Sequence, residues 1–267
     1  MIGPFQQVEA VPSGVSYVLK KLYKKSEIWF AVAWIIVYVI LASTGDNVSA
    51  DLGIAKIVTL PILIAMSAIL YFFVRKNGLA EKYGLCKPQL PAGKMLYYIP
   101  LLVLLTANLW YGVAMNMSIL ETVLYILAMF CVGFLEELIF RGLLFQAMAK
   151  NSVKSAIIVS SVTFGIGHIV NLINGSGVEL LPNLLQVIYA MAIGLAFVMI
   201  YCRTKSLMPC IIIHSVFNGL SAIGNEAAMT PQRQIISGVL LTVIAGRYAL
   251  YLALAMKEES ATYIMEE

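Results

Sequence analysis

Apolar residues run along this chain in blocks close to 20 long, broken by short polar connections. The blocks fall near residues 27–44, 53–74, 96–116, 120–149, 154–171, 183–202, 206–223 and 235–256. A helix of ~20 apolar residues crosses a hydrocarbon core of ~30 Å. The pattern therefore predicts an all-α, polytopic membrane protein with about eight transmembrane helices. No long linker, low-complexity stretch or clear internal repeat interrupts the blocks. The simplest division is an N-terminal segment over 1–26, one membrane domain over 27–257 and a tail over 258–267. The first 26 residues are too polar to supply the hydrophobic stretch of a signal peptide.

Charge gives the blocks an orientation. One set of connections carries Lys20, Lys21, Lys24, Lys25, Arg75, Lys76, Lys82, Lys87, Lys94, Lys150, Lys154, Arg203, Lys205 and Lys257. The alternate set has only Lys56 and Arg233, with Asp46, Asp51, Glu121, Glu179 and Glu226 beside them. Lys and Arg concentrate in cytoplasmic connections, so the expectation is a multi-pass cell-membrane protein with both termini in the cytoplasm. An even number of spans requires the termini to agree. Composition strengthens the membrane reading: the 267 residues are 61% hydrophobic and 12% charged, with a mean hydropathy of +0.88. Soluble domains are roughly 45–50% apolar and about 25% charged. The expected partners are thus the lipid bilayer and whatever acts within it, and no nucleic-acid motif is visible. Cys86, Cys131, Cys202 and Cys210 form no CxxC pair and read as small packing residues.

Ionisable groups within a bilayer are expensive, and each is a functional candidate. The fourth block holds Glu136, Glu137 and Arg141 in CVGFLEELIFRGLLF, the fifth holds His168 in VTFGIGHIVN, and the seventh holds His214 in SLMPCIIIHSVFN. These two are the only histidines in the chain, and neither lies in a loop, where a histidine costs less. At ~1.5 Å of rise per residue, Glu136 lies roughly 21 Å from Lys150, His168 roughly 21 Å from Lys154 and His214 roughly 13 Å from Lys205. Three helices thus carry a carboxylate and two imidazoles to comparable depth.

Spacing within each helix separates the roles. Glu137 and Arg141 are four apart with the acid first, the favoured order for a helical pair. Glu136 points about 100° away from Glu137 on an α-helix. Glu137 is expected to be neutralised by Arg141 and to be mainly structural, leaving Glu136 for chemistry. Phe164 shares a helix face with His168 and is expected to be a wall of the pocket. His214 shares a face with Asn218. Arg247, in the last block, either snorkels or pairs with a carboxylate.

In order along the chain stand EE-xxx-R (Glu136, Glu137, Arg141), F-xxx-H (Phe164, His168) and H-xxx-N (His214, Asn218). With FRG over Phe140–Gly142 and SLxPxIxxH from Ser206 to His214, they resemble the CPBP family of CAAX proteases and bacteriocin-processing enzymes, also called Abi proteins. The resemblance covers roughly residues 128–224. It implies an intramembrane endopeptidase using a metal-free glutamate mechanism, acting on a membrane-associated peptide or protein. Glu136 would activate water with the help of His168, and His214 and Asn218 would stabilise the oxyanion.

That chemistry suits these residue types. Peptide hydrolysis needs a base for water, donors aimed at the developing oxyanion and a proton for the leaving amine. A positioned carboxylate supplies the first, and the Asn218 amide with His214 supplies the second. The site must admit water, so a polar cavity is expected among the helices carrying these residues. Glu136, His168 and His214 are expected to line it, with Asn218 facing it. Two His and one Glu also form a legitimate zinc set, which keeps a zinc-dependent protease as an alternative. The absence of HExxH and the presence of Asn218 favour catalysis without a cofactor. Buried Glu and His also build proton relays in transporters, but the Gly/Pro-broken helices of an inverted repeat are missing. A non-catalytic immunity or scaffold protein on the same fold is the remaining alternative.

Overall fold

The apolar blocks become helices, and three of these start at a serine cap: Ser26, Ser118 and Ser152. The structure, a computed structural model, describes residues 14–90, 99–174 and 178–265. Helix α1 (Gly14–Lys25) precedes the first apolar block. Helix α2 (Glu27–Asp51) starts where the Ser26 hydroxyl accepts from the Trp29 amide, and α3 (Thr59–Lys76) returns beside it. Short α4 (Ile99–Leu105) runs into a 3₁₀ turn over Ala107–Leu109. Helix α5 (Ile119–Glu136) opens with a capping box between Ser118 and Glu121. It continues as a π-helix (Glu137–Phe145) and closes as α6 (Gln146–Ala149). Then come α7 (Val153–Gly167), a 3₁₀ segment (His168–Leu172), α8 (Leu180–Thr204), α9 (Met208–Leu220) and α10 (Pro231–Met265). Among the described residues the only extended pairing is one bridge between Val113 and Gly224.

Among the described residues, six helices are long and apolar enough to cross a membrane: Glu27–Asp51, Thr59–Lys76, Ile119–Ala149, Val153–Leu172, Leu180–Thr204 and Pro231–Ala255. The protein is therefore an all-α polytopic membrane protein. The two other predicted spans are shorter. The span expected at 96–116 gives α4 and its 3₁₀ turn, with residues 91–98 outside the described set. Its helix ends early because the chain is captured from the side: the Asn108 amide donates to the Phe217 carbonyl at 2.6 Å. The span expected at 206–223 gives the short apolar helix Met208–Ile223. There Leu207 is pinned to the Gly84 carbonyl and Pro209 sits in the first turn. At the chain ends, α1 occupies part of the segment 1–26, and α10 carries helix through residues assigned to the tail, as far as Met265. Residues 1–13 and 266–267 lie outside the described set.

The connections gather into two ends that match the two charge sets. At the lysine-rich end, Glu27 accepts from Lys82 at 2.7 Å and Lys150 at 2.8 Å. There too the Ser206 hydroxyl donates to the Cys86 carbonyl and Gln89 N–H to Thr204. At the other end Lys56 pairs with Asp46 at 2.7 Å, Ala55 N–H donates to Glu121, and 112–116 is tied to 223–225.

Between the ends, the π-helix is the centre of the bundle, with all nine of its residues buried. It packs against α2 and α7, while α5 packs on α3 and α9, and α8 on α7 and α10. Trp29, Phe72, Ile119 and Leu250 lie on the outside, more than half exposed, as suits side chains facing lipid. Helices α5 and α9 touch at Gly133, where an added Cβ would meet Ser215 Oγ at 2.3 Å and its backbone nitrogen at 2.8 Å. Small residues allow such close approach between membrane helices, where packing rather than hydrophobic burial drives association.

Candidate active site

The chemistry collects where α5 passes into the π-helix. A π-turn is rare and occurs mostly at functional sites, and this one begins between the two glutamates. Glu136 is the last residue of α5 and Glu137 the first of the wider segment. The Glu137 and Arg141 side chains are fully buried and pair at 3.1 Å, as their spacing predicts.

Glu137 has a second partner that the spacing does not reveal. The same oxygen, Oε1, lies 2.8 Å from His214 Nδ1. A carboxylate oxygen already receiving Arg141 Nη1–H accepts again here, so His214 donates from Nδ1. Its other ring nitrogen, Nε2, lies 3.6 Å from Glu136 Oε2. The imidazole is therefore set between the two carboxylates. The expected 100° divergence of the glutamates leaves the gap that it fills.

Glu136 also has a partner. The Tyr38 hydroxyl, from α2, donates to its Oε1 at 2.6 Å, while Oε2 is buried without a hydrogen-bond partner. Tyr38 was not among the sequence candidates. The only trace of it is a hydroxyl-bearing residue inside WIIVYVILA, and tyrosine is common enough in membrane helices for that to pass unnoticed.

Phe164 joins the remaining groups. Its ring stands edge-on to His168 at 5.5 Å and to His214 at 5.7 Å. The Arg141 guanidinium lies 4.0 Å from its centroid, close enough for cation–π attraction. Phe197 adds a second ring, 5.9 Å from His214 and 5.7 Å from the guanidinium. Gly194 makes room for this stack: a Cβ there would lie 3.1 Å from both Arg141 Nη2 and Phe164 Cδ1.

His168 sits at the junction of α7 and the 3₁₀ segment, where Asn183 of α8 donates to its carbonyl at 2.8 Å. Asn183 is fully buried and is a second residue that sequence reading missed. Among the described residues, no side chain hydrogen-bonds the His168 imidazole or the Asn218 amide. The Ser221 hydroxyl holds the Asn218 carbonyl at 2.6 Å.

A cavity of about 690 Å³ meets this cluster and is lined by Tyr38, Glu136, Phe140, Phe164, His168 and Asn218, among others. His214 is not on its wall. It lines a smaller adjoining space of about 50 Å³, together with His168, Phe164 and Asn218. The expectation that His214 lines the main cavity is corrected accordingly: its Nδ1 is held by the fully buried Glu137. Arg247 is exposed on α10, away from the cluster. Among the described residues, no three His, Cys, Asp or Glu side chains are grouped so as to hold a metal ion.

No curated protein and no solved structure matches this chain. Residues 117–220 match the family model described as Rce1-like, type II CAAX prenyl endopeptidase Rce1-like. The matched stretch runs from the cap of α5 to the end of α9 and contains both glutamates, both histidines, Arg141, Phe164 and Asn218. Through this core the chain is similar to the CPBP family.

Proposed function

We propose that this protein is an intramembrane endopeptidase of the glutamate type, acting on a membrane-associated peptide or protein. The observation that carries the reading is the pair of unlike carboxylates. Glu137 is fully buried off the main cavity, with Arg141 and His214 both held on its Oε1. Glu136 lines a large cavity, with Tyr38 on one oxygen and the other buried without a hydrogen-bond partner. Two neighbouring acids in such different settings divide the work, one positioning and one acting on a proton.

In this reading Glu136 takes a proton from water as that water attacks the scissile carbonyl, held by Tyr38 and assisted by His168. The proton then passes to the departing amine. Asn218, with its amide free of side-chain partners, donates to the tetrahedral oxyanion. His214 can join it only from Nε2, because Nδ1–H is committed to Glu137, so it donates as the imidazolium. Glu137 is a positioning residue: it fixes the ring orientation and leaves Nε2 pointing toward the reaction.

The test is cleavage of a quenched fluorogenic peptide library by the purified protein in proteoliposomes, with and without a strong chelator, beside Glu136→Gln. Retention of activity with the chelator and its loss in the variant is the expected result. Chelator-sensitive cleavage would transfer the reading to a metal enzyme. Full activity in Glu136→Gln would end it.

A further inference from the structure

The main cavity has a direction. Beyond Tyr38 and Glu136, its walls come from Ser43, Asp46 and Lys56 around the α2–α3 turn, from Asn174 after the α7 unit, and from Met117 and Ser221. All of these belong to the lysine-poor end. None of the described Lys and Arg residues of the opposite set lines the cavity. The reason is visible in the packing. The buried π-helix occupies the lysine-rich half below Glu136, and Phe145 closes on Tyr201 with ring centroids 5.8 Å apart. His168, by contrast, is four residues from the end of its 3₁₀ segment at Leu172, about 8 Å along the helix axis.

Lys and Arg mark the cytoplasmic face. Combining that rule with the direction of the cavity, and resting on the peptidase reading above, we infer that the site is served from the extracytoplasmic side. The substrate class is an extended polypeptide segment presented at the outer membrane surface, not a tail presented from the cytosol. The cavity volume lies within the about 300–1,000 Å³ range of ligand sites. Its hydroxyl and amide groups at Ser43, Asn218 and Ser221 stand among the apolar walls of Val39, Met129 and Val132. That mixture suits a peptide backbone carrying apolar side chains.

Sidedness is read without turnover by labelling with a charged, membrane-impermeant maleimide. Ser43→Cys reports on the cavity, and Met117→Cys is a second reporter should the first fold poorly. Native Cys86, whose thiol lies beside the Lys205 carbonyl, reports on the lysine-rich end. In intact cells Ser43→Cys is expected to take up several-fold more label than the parent protein, while Cys86 is labelled only in inverted membrane vesicles. Two results would overturn the inference: labelling of Ser43→Cys and Met117→Cys only from the cytosolic face, or labelling of neither from any face. Labelling of Cys86 in intact cells would overturn the orientation on which it depends. Absence of proteolysis under all conditions, with outward labelling intact, would remove the peptidase reading and leave the direction of the cavity standing.

Discussion

Glu136 and Glu137 are adjacent in the chain yet answer to different neighbours, and substitutions should separate them. Glu137→Gln retains most of the shape but leaves Arg141 as a buried charge without its counter-ion. Breaking a buried pair in this way costs about 3–5 kcal/mol. The expected result is a marked fall in the thermal unfolding midpoint in detergent, along with lost activity. Glu136→Gln removes the proposed base but no buried counter-ion. It should leave the unfolding midpoint nearly unchanged while lowering kcat on the order of 10²–10⁴-fold. Tyr38→Phe tests the third party. A hydrogen bond to a charged group is worth about 1.5–3 kcal/mol, so kcat should fall roughly ten- to hundredfold with KM little altered. An unchanged kcat would make the Tyr38 contact incidental.

At the scale of elements, the site depends on α9 lying close enough to α5 for His214 to enter between the glutamates. Gly133 sets that distance, one helical turn before Glu136 and directly against Ser215. Most of what a Cβ would strike is Ser215 backbone, which cannot swing aside as a long side chain could. Gly133→Ala should therefore push the helices apart, at a stability cost of about 1–3 kcal/mol typical of overpacking. Activity should fall further than stability, because a small misplacement of His214 relative to Glu136 and Glu137 disturbs the reacting geometry. Comparing the midpoint shift with kcat in the same preparation checks both parts. A Gly133→Ala protein with unaltered turnover would show that the α5–α9 contact has slack.

At the scale of the whole molecule, the charge pattern and the contacts describe the same two ends. Lys82, Lys150 and Glu27 gather at one end, and Lys56, Asp46 and Glu121 at the other. With α1 and the end of α10 expected on the lysine-rich side, a fluorescent protein fused to either terminus should fluoresce, since it folds in the cytoplasm. Alkaline phosphatase fused just before α5, at the lysine-poor end near Ser118, should be active instead. Reversal of the two readouts would invert the orientation and, with it, the face to which the cavity opens.

Much of this protein was legible in its sequence because a bilayer is a severe solvent. Unpaired backbone groups are not tolerated in hydrocarbon, so apolar blocks of this length must be helices. Ionisable side chains there are costly enough that Glu136, Glu137, Arg141, His168 and His214 stand out without any structure. The i, i+4 pairing of Glu137 with Arg141 is local, and helical periodicity alone brings it about. Contacts between helices are a different matter. That His214 reaches Glu137 across 77 positions, and Tyr38 reaches Glu136 across 98, depends on which faces pack and how closely. The shortening of α4, the π-helix that displaces the register after Glu136, and the blocking of the lysine-rich half by its nine buried residues likewise follow from packing. Periodicity reports what faces away from lipid, but only the assembled bundle decides which neighbour each buried group meets and at which end water can enter.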